Sequence, residues 1–585
     1  MGIRGIDRII KREMINSLEK NKRPHMFFTM LCLWLWTVLY FNPRILALLW
    51  GPENIFAKFS IIGFMLVLDL FWYYAFYHLV IIVFAYFKNT SISKVLLKEK
   101  DILFRNPSVA LLYTTYNDFQ ENAVLSCINQ GYGNFQVFIL DDSTEQVFKK
   151  RIDVFGAKYK DKIAVIRRKN RKGYKAGNIN NALKQIKNFE YFSISDADSI
   201  LPKSYITGLL PYFKDKQIAF VQSRQESNPE QKSTFAQHLG YQVSLHCDYY
   251  MKTKNKFGYV MFYGHGAMLR TDVYLEIGGF PEIATEDLAY SMLIREKGYL
   301  GVSADDVVCL EDFPPTYQQY RRRNEKWIRG TTECLLKYYP SFVKSENITW
   351  MEKIDVLSSA CLLLLPFPFF ILLLLVGILL PFFYYDFRFQ GLMFRMPIEF
   401  NNSLLKLMVK TTSNLFWSID FFVLLIISII GPMIPPLVEL IKYPKKRFKF
   451  IIMNAFMFYA IEITSSLNLL AYLLSRSATF PVTGHIKKNT KNINISDKRD
   501  NFCELIRNPL ANHKITLIVE AVSAIVFFII CLFSRNIWFL LFSTGLIISI
   551  LLMRFGFENR WVRHLVSLPL VLLIMIIIFI GKTLQ

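Results

Sequence analysis

Two adjacent carboxylates, followed some thirty residues later by a run of cations, are the side chains of this chain best suited to chemistry. Thr285-Glu286-Asp287 opens a helix-like run in which Leu288, Met292 and Leu293 share one side. A helix N-terminus favours negative charge, so Asp287, with Glu286 beside it, can stay an ionised base there. The second segment, Arg321-Arg322-Arg323-Asn324-Glu325-Lys326-Trp327-Ile328-Arg329-Gly330, is strongly basic and holds a single tryptophan among charged neighbours. A base followed by cations and an aromatic plate suits the deprotonation of a sugar hydroxyl, with a diphosphate leaving group held and a sugar ring stacked. A capped helix followed by a solvated basic helix would look the same, so acids elsewhere in the chain must decide.

Those acids sit at strand ends. Ser108–Thr115 and Gln136–Leu140 are apolar runs of strand length, closed by Tyr116-Asn117-Asp118 and Asp141-Asp142-Ser143. A helix is expected over Glu121–Asn129, a third strand over Lys162–Arg167, a helix over Asn178–Ile186 and a fourth strand over Tyr191–Ile194, closed by Ser195-Asp196-Ala197-Asp198. Alternating strands and helices predict a mostly parallel α/β sheet, whose ligands gather at the carboxyl ends of the strands. Asp196 and Asp198 then lie within reach of one hard cation, Mg²⁺ or Mn²⁺, which would take phosphate oxygens as further ligands. Asp-x-Asp alone is a weak signal; its strand-end position strengthens it. Asp118 and Asp142 are placed to accept hydrogen bonds from a nucleoside base and ribose. Tyr116 offers a stacking face or, alternatively, ordinary core packing. Lys175-Ala176-Gly177-Asn178 puts a cation and a glycine at a helix start, suited to a phosphate or to a plain cap.

The flanks are of a different kind. Of 585 residues, 53% are hydrophobic and 16% aromatic, too apolar for an ordinary soluble enzyme. The apolar stretches lie outside residues 100–345, so a globular domain inserted between transmembrane bundles is expected. The net charge of +23 lies largely beside apolar spans, where it sets topology and meets anionic headgroups rather than nucleic acid. The 8 cysteines are scattered without a Cys-x-x-Cys pair and indicate neither a disulfide scaffold nor a zinc site. Basic residues 1–24 precede Phe27–Tyr40, a retained anchor, and Phe59–Phe87; Lys88, Lys94, Lys98 and Lys100 then place the next domain in the cytoplasm. After it come Glu352–Tyr385, Leu415–Leu440, Ile515–Phe533, Ile537–Met553 and Leu565–Ile580 as spans. Residues 450–474, interrupted by polar side chains, read as an interfacial amphipathic helix that leaves 475–514 cytosolic. The expected division is 1–100 (cytosolic segment and two spans), 101–345 (catalytic domain), 346–474, 475–514 (a cytosolic loop) and 515–585, with seven spans, or eight if 450–474 crosses.

Together, Tyr116-Asn-Asp118, Asp141-Asp-Ser143, Lys175-Ala-Gly-Asn178, Asp196-Ala-Asp198, Gly278-Gly-Phe280 with Thr285-Glu-Asp287, and Lys326-Trp-Ile-Arg-Gly330 resemble the processive family 2 glycosyltransferases of the cellulose, curdlan and hyaluronan synthase group. Phe480-Pro481-Val482-Thr483 looks like the gating-loop signature of the cellulose synthases. The resemblance implies a GT-A-type (Rossmann-like) fold that takes a UDP-sugar, UDP-glucose being favoured, and inverts the anomeric carbon. By position it implies Asp118, Asp142 and Tyr116 on uridine, Lys175, Asp196, Arg323 and Lys326 on the UDP-sugar, and the metal at Asp198 with Asp196. It implies Asp287 with Glu286 as the catalytic pair, Trp327 under the acceptor, and Phe480, Val482, Thr483 and His485 in the gating loop. A growing β-glucan exported through the plasma membrane, of capsule or exopolysaccharide type, would be the product. Two departures stand out: the usual Gln-x-x-Arg-Trp is Arg323-Asn-Glu-Lys-Trp327 here, and His485 stands where a lysine is expected. Lysine loses the bidentate fork of arginine, and Arg323 replaces a neutral amide where the acceptor's terminal sugar would be held. One-sugar transfer to a lipid phosphate, use of UDP-N-acetylglucosamine, and a transporter are the alternative readings.

Overall fold

A computed structural model of the chain describes residues 24–50, 54–87, 105–379, 388–390, 393–395, 434–442, 444–476, 478, 513–534, 538–557, 559–572, 574–575 and 578. Two apolar helices come first, α1 (His25–Leu46) and α2 (Ile55–Phe87). The α/β domain follows with β1 (Val109–Thr115), α3 (Glu121–Ile128), β2 (Phe135–Asp141), α4 (Gln146–Lys158), β3 (Ile163–Arg167), α5 (Tyr174–Gln185) and β4 (Tyr191–Ser195). It continues through β5 (Ile218–Ser227), α6 (Thr234–Leu245), β6 (Ala267–Arg270), α7 (Thr271–Ile277), α8 (Glu286–Glu296) and β7 (Leu300–Glu311).

The seven strands form one sheet in the order β3-β2-β1-β4-β6-β5-β7. The four expected strands pair in parallel, β1–β2, β1–β4 and β2–β3, and β5–β7 is a further parallel pair, but β6 runs antiparallel to both β4 and β5. The sheet is therefore mixed. The alternation of side chains along a strand shows why all seven residues of β1 are buried. Val109, Leu111 and Tyr113 enter a core with Val124, Ile152 and Tyr205 on one face. Ala110 and Leu112 enter the opposite core with Ala176, Ile179 and Phe280. A sheet covered on both faces needs such unbroken apolar strands. At its far edge the approach of Phe220 to Gly301 leaves no room: a Cβ at Gly301 would lie 2.0 Å from Phe220 Cζ. Gly301→Ala should therefore overpack the β5–β7 seam and destabilise the protein by about 1–3 kcal/mol, read as a lowered melting temperature.

Helix α9 (Tyr317–Lys344) leads from the domain to α10 (Trp350–Cys361) and α11 (Pro366–Leu374), which meet at a 60° bend. Helices α12 (Ile434–Lys442), α13 (Pro444–Ala460), α14 (Glu462–Ser475), α15 (His513–Ser534) and α16 (Trp538–Phe555) complete the bundle. Among the described residues two helices are long and apolar enough to cross a membrane, or three if the bent α10–α11 pair is one span.

The expected interfacial helix over 450–474 is instead two helices, α13 and α14, and the polar side of α14 faces protein. Glu462, Thr464, Ser465, Ser466 and Asn468 are all buried. Asn324 Nδ2 donates to Ser465 Oγ (3.0 Å) and Arg329 Nε to Asn468 Oδ1 (3.1 Å). Arg321 pairs with Glu520 of α15 at 3.0 Å. Two of the polar residues that interrupt the apolar run, Ser465 and Asn468, are thus matched by the basic helix α9. Long-range partners of this kind leave no periodic trace in either segment.

Candidate functional site

Three of the four acidic clusters lie where a strand of the sheet ends. After β1, Asn117 turns through φ 58°, and Asp118 Oδ1 accepts from Thr115 Oγ1 and the Tyr116 amide, both at 2.7 Å. After β2, Asp141 Oδ2 accepts from Arg167 Nε at 2.6 Å. Asp142 takes a two-point grip from Arg168, Nε to Oδ1 at 2.8 Å and Nη2 to Oδ2 at 2.6 Å. Arg168 also donates to the carbonyls of Lys172 and Tyr174. It thereby folds the basic loop 167–173 over the start of α5. Gly177 is where that loop lands, since a Cβ there would lie 2.0 Å from Lys172 O. Arg171 lies flat on Tyr116, its guanidinium carbon 3.4 Å from the ring centroid. Tyr116 and Asp142 are therefore engaged by arginines that the sequence reading did not single out.

After β4, Asp196 pairs with Lys175 Nζ and accepts from Thr114 Oγ1 at 3.0 Å. Burial pushes the Asp196 carboxyl up, but Lys175 and then His265 outweigh it and hold it down at about 2. Asp198 behaves oppositely. Burial, then the negative charges of Asp196, Glu311, Asp312 and Asp118, push its carboxyl well above the usual range. One carboxylate locked ionised beside another starved of positive charge is a donor set that fits a hard divalent cation. Among the described residues no group of three or more His, Cys, Asp or Glu side chains gathers into a ready-made cage.

Across from these acids, α8 begins at Glu286, with Thr285 Oγ1 donating to Gly330 O at 2.8 Å. That contact needs Gly330, whose Cβ would meet Thr285 Cγ2 at 2.6 Å. It ties the start of α8 to the Trp327 helix, which explains in physical terms why a glycine follows that tryptophan. Asp287 Oδ1 accepts from the Leu288 amide at 2.8 Å. The helix N-terminus does not dominate as expected: burial raises the Asp287 carboxyl against the pull of Leu288 N–H, Lys326 and Lys175. Glu286 is raised by burial and by Asp287 to about 7. Lys175 and Lys326 both act on this pair and on Asp196. Trp327 is exposed, with the Arg323 guanidinium 4.6 Å from its ring centroid.

A third wall went unnoticed in the sequence. Gly264 and Gly266, at φ 80° and 61°, flank His265; its Nε2 lies 3.2 Å from Glu311 Oε2 at the end of β7, and its Nδ1 is buried without a partner. A Cβ on Gly264 would lie 3.4 Å from Asp287 Oδ2, so the loop presses against the acidic pair. Tyr263 OH is buried there and also lacks a partner. The Gly-His-Gly triplet was the available signal. Phe480, Val482, Thr483 and His485 lie outside the described residues.

The site thus brings Asp118, Lys175, Asp196, Asp198, Glu286, Asp287, Lys326, Arg323 and Trp327 to the carboxyl-end rim of one sheet. Residues 107–330 match the family model described as "Glycosyltransferase like family 2". The chain is similar to Glucomannan 4-beta-mannosyltransferase 1 of Oryza sativa subsp. japonica, 25% identical over 259 residues, 42% of this chain and 50% of the relative. It is similar to the Probable glucomannan 4-beta-mannosyltransferase 9 of the same plant, also 25% identical, over 261 residues, 43% of this chain and 47% of that one. The chain thus spans about half the length of the curated relatives it matches. Among solved structures, the mannosyltransferase PcManGT from Pyrobaculum calidifontis in complex with GDP-Man and Mn²⁺ aligns at TM-score 0.41 and 17% identity, over 65% of this chain and 99% of that chain.

Proposed function

From the premise that residues 107–330 are a family 2 glycosyltransferase segment with a GT-A-type mixed sheet, we propose that the chain is a membrane-embedded, inverting hexosyltransferase. It builds a β-linked polysaccharide from a nucleotide-diphosphate sugar and exports it through its own helices. One observation carries this reading: Lys175 and Lys326 act together on Asp287, Glu286 and Asp196, so the acids and the cations gather in one buried cluster. A base and a leaving-group clamp are thereby brought to one place.

In this reading Asp287 takes the proton from the acceptor hydroxyl as that oxygen attacks the anomeric carbon. Lys326 and Lys175 receive the charge that develops on the departing diphosphate. Asp198 and Asp196 would hold Mg²⁺ or Mn²⁺, which when bound neutralises the same diphosphate charge. Asp118 and Tyr116 receive the nucleoside, and Asp142 acts through Arg168, which shapes that slot. Trp327 stacks the acceptor ring. The gating-loop resemblance of Phe480–Thr483 favours UDP-glucose and a β-glucan. A mannosyl or mixed glucomannan product is the second reading, supported by the names of the plant relatives. The domain faces the cytoplasm, where nucleotide sugars are made.

Processive synthesis with export is tested in inside-out vesicles given labelled donor. Long labelled polymer resistant to externally added glucanase and mannanase supports it. Short, enzyme-accessible product would leave a non-processive transferase.

The raised acids give the reaction a pH signature. The Glu286 carboxyl, near 7 in the folded protein against 4.5, is protonated below that value and ionises as pH rises through it. A group raised in the folded state stabilises the fold fully below its unfolded value, and that contribution fades as pH climbs through about 7. Transfer should show the opposite trend, with kcat/KM rising as the acidic pair loses its proton near neutrality. Glu286→Gln should move that limb to lower pH, because Asp287 then ionises beside a neutral neighbour.

A further inference from the structure

Arg323 carries a positive charge that the steps above leave without a task. Its guanidinium lies over Trp327 at 4.6 Å and within 5.6 Å and 5.9 Å of the Phe313 and Tyr320 ring centroids. The side chain is half-buried, its Nε is buried with no partner, and among the described residues it forms no ion pair. Glu311 and Asp198 act on Arg323 through space but neither is in contact with it; a desolvated cation without a contacting anion is costly, and three aromatic rings offset only part of that cost. The diphosphate side of the cleft already has two cations, Lys175 and Lys326, set against Asp196, Glu286 and Asp287. Arg323, one helical turn before Trp327, holds its guanidinium at the indole ring, within reach of a group bound beside it.

We propose that Arg323 and Trp327 form an acceptor subsite for a sugar bearing an anionic oxyacid group, carboxylate or phosphate, beside the ring stacked on Trp327. This rests on the glycosyltransferase reading and narrows its acceptor. Of the two places the sequence offers Arg323, on the UDP-sugar and at the acceptor's terminal sugar, it keeps the second and adds a charge preference there. A neutral sugar can stack on an indole but leaves the guanidinium unpaired. An acidic one adds a charge-assisted, two-point hydrogen bond in the same step. The anion could come from a uronic acid within a polymer or from a sugar linked to phosphate, and the chemistry at Arg323 is the same.

The test uses the full chain in nanodiscs at low salt. Binding is measured for β-mannotetraose, for the matching mannuronate tetrasaccharide and for a mannosyl phosphate, alongside UDP and GDP. At least one anionic ligand should bind about tenfold or more tighter than the neutral one, the effect expected of one charge-assisted pair. Arg323→Gln should abolish that preference, Arg323→Lys should keep part of it, and nucleotide affinity should change less than about twofold in both, as expected for a contact outside the donor slot. Which anionic ligand wins identifies the source. Equal binding of neutral and anionic ligands by the wild type overturns the proposal, as does an Arg323→Gln variant that loses nucleotide and oligosaccharide alike. If the wild type binds no nucleotide at all, the glycosyltransferase reading fails, whereas nucleotide binding without anion preference defeats only the acceptor assignment.

Discussion

Asp287→Asn should lower sugar transfer by about 10²–10⁴-fold, the range expected when a positioned general base is removed. The amide keeps the shape of the carboxylate and can still accept from the Leu288 amide, so folding should survive. Nucleotide affinity should survive too, because Lys175, Lys326 and Asp196 are untouched. The buried, raised carboxyl of Asp287 is what makes the effect large: a base raised above the ordinary carboxylate range is a better proton acceptor than one held at its ordinary value. Glu286→Gln, by contrast, keeps the base and should mainly shift the pH profile. A loss in Asp287→Asn accompanied by a fall in melting temperature would mean that the residue acts through structure. Loss without unfolding is the expected outcome.

The second large effect concerns how the base is carried. Arg295, near the far end of α8, makes a two-point pair with Glu352 of α10, at 2.9 Å and 3.0 Å, with both side chains almost fully buried. Glu352 also closes the capping box with Thr349 that starts α10. Glu352→Ala would leave the Arg295 charge buried and opened to a cavity. It should cost about 3–5 kcal/mol, seen as a lower melting temperature in detergent. Replacing both partners, Arg295→Leu with Glu352→Leu, should recover most of that loss, since two apolar groups need no pairing. Because the pair joins the Asp287 helix to the bundle, the single variant should lose transfer activity near its lowered melting temperature, whereas Asp287→Asn loses it throughout.

How much of this was legible depends on the range of the interactions involved. β1 to β4 could be read almost to the residue because their apolar runs are continuous and end in polar turns, a purely local signal. The reversed strand β6 could not, since Ala267–Arg270 is four residues long and its direction is set by pairing with Ile194 and Phe220 far along the chain. In the site, residues in recognisable runs stood out: Asp196 and Asp198, Glu286 and Asp287, Lys326 and Trp327. Arg168, His265 and Glu311 did not, because each matters only through a partner brought close by folding: Asp142, the Gly264–Gly266 loop, and the end of β7. The same reason explains α14. Its buried Ser465 and Asn468 looked like the polar face of a surface helix until Asn324 and Arg329 of α9 were set against them. The raised carboxyl of Asp287 is of this type too, because a helix N-terminus is visible in sequence but burial is not.

The central claim is that the Asp287 cleft transfers sugar from a nucleotide diphosphate. The most direct measurement is nucleoside diphosphate release by the purified chain in nanodiscs with Mg²⁺ or Mn²⁺, offered UDP-glucose, UDP-N-acetylglucosamine and GDP-mannose in turn. Linkage analysis of any polymer and the Asp287→Asn variant complete it. The account expects release from at least one donor, β-linked product and near-complete loss in the variant. Release that persists undiminished in Asp287→Asn, or no release from any donor by folded protein, would contradict it.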